Sequence, residues 1–198
     1  MRVIDKKIFC VLLLFVLLIS TGICLAEEPV AEKPIYTKGD FWFFVERNLS
    51  KKMRQTFLRE EKNKYVFRLG KGDRTTDYYF TSDIKRGIGY PGPIIEFPLK
   101  VGKKWKYTYQ RKGSTRGPGR DNIQAQHKVV AYESVTVPAG TFQALKISVK
   151  LEAAAGGTGS RMITIPEKMY FWYAPEVKQL IKIIQWGKTW ELKKYKIQ

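Results

Sequence analysis

The sequence predicts an all-β protein, a curved antiparallel sheet or half-barrel, and three observations predict it. Apolar and aromatic residues alternate with polar ones over several short runs, as on half-buried strands. Gly, Pro, Asn and Asp punctuate those runs about every ten residues, the spacing of consecutive strands and turns. Strong helix signals are scarce, while 5 Trp, 11 Tyr and 11 Phe in 198 residues supply the bulky side chains that a sheet core needs.

Residues 1–26 read as a signal peptide. Lys6 and Lys7 precede an apolar run from Ile8 to Ile19, and Cys24-Leu25-Ala26 places small residues before Glu27. Retention of this segment as a membrane tether is one alternative. Lipidation at Cys24 is another, although Ile23 stands where a lipid-attachment motif wants a small residue. Removal after Ala26 takes away both cysteines, Cys10 and Cys24, so the remaining chain has no disulfide and no thiol chemistry and must hold together by packing. Residues 27–34, polar and Pro-spaced, read as a linker, and residues 35–198 as a single antiparallel β domain. That length buries about 70% of its unfolded surface, enough for one core.

Within the domain, Phe41 to Glu46 and Lys64 to Leu69 are β-like. The stretch Asn48 to Glu61 fits a strand pair turning at Asn48 to Ser50, with a helix the competing assignment because Val45, Leu49, Met53 and Phe57 recur every four residues. Lys104 to Gln110 is the clearest strand: Trp105, Tyr107 and Tyr109 fall on one face, Lys104, Lys106 and Thr108 on the other. Ile123 to Val137 and Thr141 to Glu152 form a hairpin around Pro138-Ala139-Gly140, and Ala153 to Ser160 a loop. Further strands run through Met162 to Ile165, Met169 to Tyr173, Gln179 to Trp186 and Thr189 to Ile197. Gly39-Asp40-Phe41-Trp42 recurs 63 residues on as Gly102-Lys103-Lys104-Trp105, which suggests two related halves, although aromatic strands after Gly turns also look alike without being repeats.

Three stretches carry a family resemblance: Phe97-Pro98-Leu99-Lys100-Val101-Gly102-Lys103-Lys104-Trp105-Lys106-Tyr107, then Glu133 to Ile147 with Thr136-Val137-Pro138-Ala139-Gly140-Thr141-Phe142 at its centre, then Trp172-Tyr173-Ala174-Pro175-Glu176-Val177. In this order they resemble the TapB-like family of bacterial secreted domains of unknown function. The resemblance implies secretion and a curved antiparallel sheet, and it carries over no catalytic residue. Glu176 and Lys178 stand where that family tends to place glycines, so any positive-φ geometry needed there is expected to be lost.

No constellation for catalysis is legible. Gly87-Ile88-Gly89-Tyr90-Pro91-Gly92 matches a dinucleotide fingerprint literally, but Pro91 and Pro93 deny it the following helix, and it reads as a Pro-Gly connector. His127 is the only histidine, so no triad or His-pair metal site can form. Its alternation with Gln126 and Lys128 suggests a solvent-facing side chain. Carboxylates such as Asp73, Asp77, Asp83, Glu133 and Glu152 are explained by solubility and ion pairs.

Charge is the sharper signal. The chain has 36 Lys and Arg against 18 Asp and Glu, and Lys100 to Arg120 contains eight bases and no acid. A ridge of Lys104, Lys106, Arg111, Lys112, Arg116 and Arg120 would suit anionic surfaces, while solubility alone is the plainer account. The sequence therefore points to an exported, periplasmic or extracellular, non-enzymatic domain without cofactor or metal, with lipid-anchored or tethered forms as alternatives. It binds a lipid or other apolar ligand on an aromatic concave face of Trp42, Phe44, Trp105, Tyr107, Tyr109, Tyr170, Trp172 and Trp190, for which core packing is the alternative at every position. The other functional readings are a cationic envelope-binding or assembly protein and a hydrolase. Nucleic acid is not an expected partner of an exported chain.

Overall fold

A computed structural model describes residues 29–47, 51–62, 64–70, 72–76, 95–112, 120–154 and 162–198. The proposed signal peptide, the turn at Asn48 to Ser50, the Gly87 to Gly92 connector, the loop around Arg116 and most of the Ala153 to Ser160 loop lie outside the described residues. Among the described residues ten strands form one sheet: β1 (Phe41–Glu46), β2 (Lys52–Glu61), β3 (Lys64–Leu69), β4 (Gly72–Thr76), β5 (Lys104–Lys112), β6 (Arg120–Val137), β7 (Gly140–Ala154), β8 (Met162–Ala174), β9 (Gln179–Gln185) and β10 (Lys188–Lys196). The expected class is observed, and so is the strand assignment for 52–61. Two details differ. β4 was not expected, since Gly72-Asp73-Arg74-Thr75-Thr76 lacks apolar alternation, and β8 is one strand, Met162–Ala174, where two, Met162 to Ile165 and Met169 to Tyr173, were expected.

The sheet order is β4-β3-β2-β1-β10-β9-β8-β7-β6-β5, with every neighbouring pair antiparallel. From β5 to β10 and on from β1 to β4 the strands form a continuous meander, circularly permuted so that β1 and β10 lie side by side in mid-sheet. Five register shifts, at Phe43/Phe44, Phe57/Arg59, Val129/Ala131, Val149/Leu151 and Trp172/Tyr173, sharpen the twist and help the sheet to curl. The curl is large. Ala139, in the two-residue Pro138-Ala139 loop between β6 and β7, donates its N–H to Leu192 O of β10 at 3.0 Å, although three strand spacings, ~14 Å on a flat sheet, separate β7 from β10.

Curling gives the sheet an inner and an outer face, and the chain fills the inner one. Ala31 bridges to Leu99, so the segment before β1 and the end of the β4–β5 connection run side by side. Ala31, Ile95 and Leu99 are buried, and Tyr65 Oη donates to Pro34 O. Within the stretch expected to be a linker, Ala31 and Pro34 are thus buried while Glu32 and Lys33 stay exposed. Tyr36 sits at the hub of a ring cluster, with centroids 4.7–5.4 Å from those of Trp42, Phe57, Tyr65 and Phe67, and its hydroxyl donates to Lys178 O at 2.8 Å. Phe97, joined to Pro98 by a cis peptide bond, packs edge-on against Tyr173.

The 63-residue echo has a local structural counterpart. Gly39 and Gly102 both have positive φ (96° and 85°), which a side chain would resist, and both are the third residue of a turn closed by a backbone bond, Asp40 N–H to Thr37 O and Lys103 N–H to Lys100 O. Each then exchanges the same pair of bonds with its partner strand: Gly39 to Phe57 O and Phe57 to Asp40 O in one, Gly102 to Val129 O and Val129 to Lys103 O in the other. Lys178 corrects an expectation. It caps the 3-10 turn Pro175–Val177 at φ 56° and ψ 24°, so the left-handed geometry expected to be lost with the family's glycines is kept by a lysine.

Candidate functional site

Cross-strand register assigns the candidate residues to faces. Trp42 and Phe44 alternate with the half-buried Phe41, Phe43 and Val45 on β1 and point inward, where both are fully buried. Trp42 Nε1 donates to Val177 O at 2.7 Å, tying β1 to the 3-10 turn. Trp190 lies opposite Glu46 and beside Ile183 on the same inner face. Trp105 also faces inward, paired with His127, with Tyr107 and Tyr109 following at positions opposite Ala125 and Ile123. Trp105 is buried and Tyr107 only partly so. Of the eight expected aromatics, Trp42, Phe44, Trp105, Tyr107 and Trp190 therefore share one face. Those with described side chains, apart from Tyr107, are sealed by the chain's own packing.

Tyr170 and Trp172 correct that grouping. They pair with Ser148 and Lys146 of β7 and with Ile184 and Lys182 of β9, so they belong to the outer face, while Met169, Phe171 and Tyr173 take the inward positions. Sequence alternation along β8 is ambiguous because every residue from Tyr170 to Tyr173 is aromatic. His127 is the second correction. Expected to face solvent, it is 2% exposed and stacks on Trp105 with ring centroids 4.8 Å apart and planes inclined by 6°. Burial pushes its pKa down to about 4 against the opposing pull of hydrogen bonds to the backbone of Trp105 and Ala125, so it is neutral at physiological pH.

The outer face carries the charge. Lys104 stands directly opposite Lys128, and Lys106 opposite Gln126; all three lysines are exposed, and among the described residues no acid pairs with them. Arg111, Lys112 and Arg120 occupy strand positions in β5 and β6, and Arg111 is out of phase with Lys104 and Lys106 in the strand alternation. Further across the same face, Trp172 lies between two lysines, Lys146 Nζ at 5.1 Å and Lys182 Nζ at 5.4 Å from its ring centroid. Its Nε1 donates to Glu133 Oε1 at 2.7 Å, which together with Lys146 at 3.3 Å holds the Glu133 carboxyl below the usual range, the indole bond being the larger cause and burial opposing both. Glu191, buried, accepts from Arg47 at 2.7 Å and lies 3.8 Å from Lys182. Lys128 and Lys182 were missed in the sequence as site residues. Their signal is weak, because only the pairing register brings Lys128 beside Lys104.

Among the described residues no group of three His, Cys, Asp or Glu could hold a metal ion, and no helix is long and apolar enough to cross a membrane.

Residues 100–195 match the DUF3108-like family. The matched region takes in β5 to β10 almost entirely, together with most of the three motif stretches, and the match bears this name rather than the TapB-like one. No curated protein is significantly similar in sequence. Among solved structures, a proposed lipoprotein of Parabacteroides distasonis aligns over 85% of this chain and 100% of its own at 17% identity, with a TM-score of 0.47. The hypothetical lipoprotein YmcC of Escherichia coli aligns over 78% of this chain and 83% of its own at 7% identity, with a TM-score of 0.45. A proposed exported protein of Bacteroides fragilis, described by its YmcC-like fold, aligns over 84% of this chain and 99% of its own at 14% identity, with a TM-score of 0.41.

Proposed function

We propose that this chain is an exported, non-catalytic domain of the cell envelope that holds anionic envelope material on the outer face of its sheet. The observation that carries the proposal is the pairing of Lys104 with Lys128. Like charges directly opposite across two strands oppose folding, and here no described acid offsets them, whereas a bound anion would. Lys106 extends the positive surface along β5. Export is supported by the Lys6-Lys7 start, the apolar run and the small residues before Glu27. An apolar ligand on the inner face is the weaker reading, because Trp42, Phe44, Trp105 and Trp190 are already covered by protein. A hydrolase is weaker still, since the sole histidine is turned into the core.

The test is co-sedimentation of the purified protein with phosphatidylglycerol vesicles and with neutral phosphatidylcholine vesicles at physiological salt. Wild-type protein is expected to sediment with the anionic vesicles only and to be released as salt rises. The triple variant Lys104→Glu, Lys106→Glu, Lys128→Glu should remain in the supernatant. Equal retention of wild type and variant would refute the proposal.

A further inference from the structure

We propose that the outer face of β5 to β8 binds a phosphate monoester, seated over Ser148 between Lys128 and Tyr170. The site rests on the anion-binding reading of that face and sets which anion it takes. Pairing register places four residues in one row across the sheet: Lys104 opposite Lys128, Lys128 opposite Ser148, and Ser148 opposite Tyr170. Cross-strand partners share a face, so all four side chains stand on the outer one. The row passes to Ile184 on β9, which has no polar side-chain group.

The same four residues share a second property. Among the described residues, Lys104 Nζ, Lys128 Nζ, Ser148 Oγ and Tyr170 Oη make no hydrogen bond and no ion pair. Elsewhere on this face polar groups find partners within the chain: Trp172 and Lys146 on Glu133, Gln126 and Lys150 on Glu152. The unpartnered groups are therefore consecutive across four strands rather than scattered, and every one of them can donate. Lys104 and Lys128 are exposed, Ser148 and Tyr170 half-buried, so the row is open to solvent.

Ser148 is the short side chain of the row. The strands on either side lie about 5 Å away, and the long side chains of Lys128 and Tyr170 flank its hydroxyl, which leaves a place for a small group between them. Lys146, two residues along β7, adds a third cation at the border: its Nζ lies 5.3 Å from the Tyr170 ring centroid and 3.3 Å from Glu133. Lys150 borders the other side, 3.2 Å from Glu152.

Donor count and charge select the ligand. Two ammonium groups and two hydroxyls call for an anion rich in acceptors. A carboxylate or a phosphodiester brings one charge and two free oxygens. A phosphate monoester brings about −1.5 to −2 charges and three terminal oxygens, the better match to two unpaired lysines and two further donors.

Calorimetric titration of the full folded protein with glycerol 3-phosphate and with glycerophosphoglycerol compares a free monoester with a free diester. Co-sedimentation with phosphatidic acid and phosphatidylglycerol vesicles, diluted in phosphatidylcholine to equal surface potential, compares the same two groups on a lipid. The monoester is expected to bind about tenfold tighter in at least one form. Preference in the free pair assigns a soluble ligand, and preference confined to the vesicles assigns a lipid headgroup. Ser148→Ala and Tyr170→Phe each remove one donor and no charge, and each should reduce the preference severalfold, which general attraction to lysines would not do. Should one variant not fold by circular dichroism, the other decides. Equal binding of monoester and diester in both forms, or a preference unchanged in the folded variants, overturns this proposal and leaves the anion-binding reading standing. Failure to bind any of the four probes overturns both.

Discussion

His127 makes the stability of this protein depend on pH in a defined window. The imidazole is stacked on Trp105 and 2% exposed, and burial lowers its pKa from 6.5 to about 4. Between these values the unfolded chain takes up a proton that the folded protein refuses, so stability rises with pH through the window. The contribution is complete above about pH 6.5, drains as pH falls towards 4, and changes no further below it. At about 1.4 kcal/mol per pH unit the whole span is worth about 3 kcal/mol. The assay is urea unfolding at intervals from pH 7.5 to 3.5 on wild type and on His127→Phe, which keeps a flat ring beside Trp105 and cannot titrate. Carboxylates such as Glu133, whose pKa is also lowered, lose stability on acidification in both proteins, so the difference between the two curves isolates the histidine. Wild type should lose about 3 kcal/mol more than the variant between pH 6.5 and 4. Parallel curves would refute the reasoning, and His127→Gln, also unable to titrate, serves as a second comparison should the phenylalanine perturb packing.

Two further outcomes concern how the inner face is closed. Tyr36→Ala removes the hub of the ring cluster and should lower unfolding free energy by about 3 kcal/mol, while Tyr36→Phe loses only the bond to Lys178 O and should cost about 1 kcal/mol, both read from urea unfolding at neutral pH. Asp40 is fully buried and accepts from Thr37 N at 2.8 Å and Gln198 N at 2.9 Å, so Asp40→Ala should cost about 2–4 kcal/mol in thermal unfolding and speed amide exchange at Gln198, with Asp40→Asn intermediate.

The class of fold was legible because strand alternation is a local property. Trp105, Tyr107 and Tyr109 share a face whatever they pack against, and the Pro138-Ala139-Gly140 turn closes its hairpin through the preferences of three residues. Alternation fails where every residue is apolar or where the packed face is polar. The aromatic run Tyr170 to Tyr173 carries no phase, so the sequence groups Tyr170 and Trp172 with the inner face, although Trp172, itself buried, lies on the other face of the sheet between Lys146 and Lys182. His127 alternates with Gln126 and Lys128, which suggested solvent, but that same alternation puts it in phase with Ala125 and Val129 on the packed face, where it stacks on Trp105.

By itself the sequence determined the strand-rich class, the basic character and the separation of aromatics from lysines along β5, since each depends only on residue type and a period of two. Tertiary structure alone decided what those faces do. The curl that brings Ala139 to Leu192 and the segment that seats Tyr36 among four rings convert an aromatic surface into core. Register sets Lys104 against Lys128 and leaves Glu46 buried beside Trp190, pairings between residues far apart in the chain that no local preference encodes.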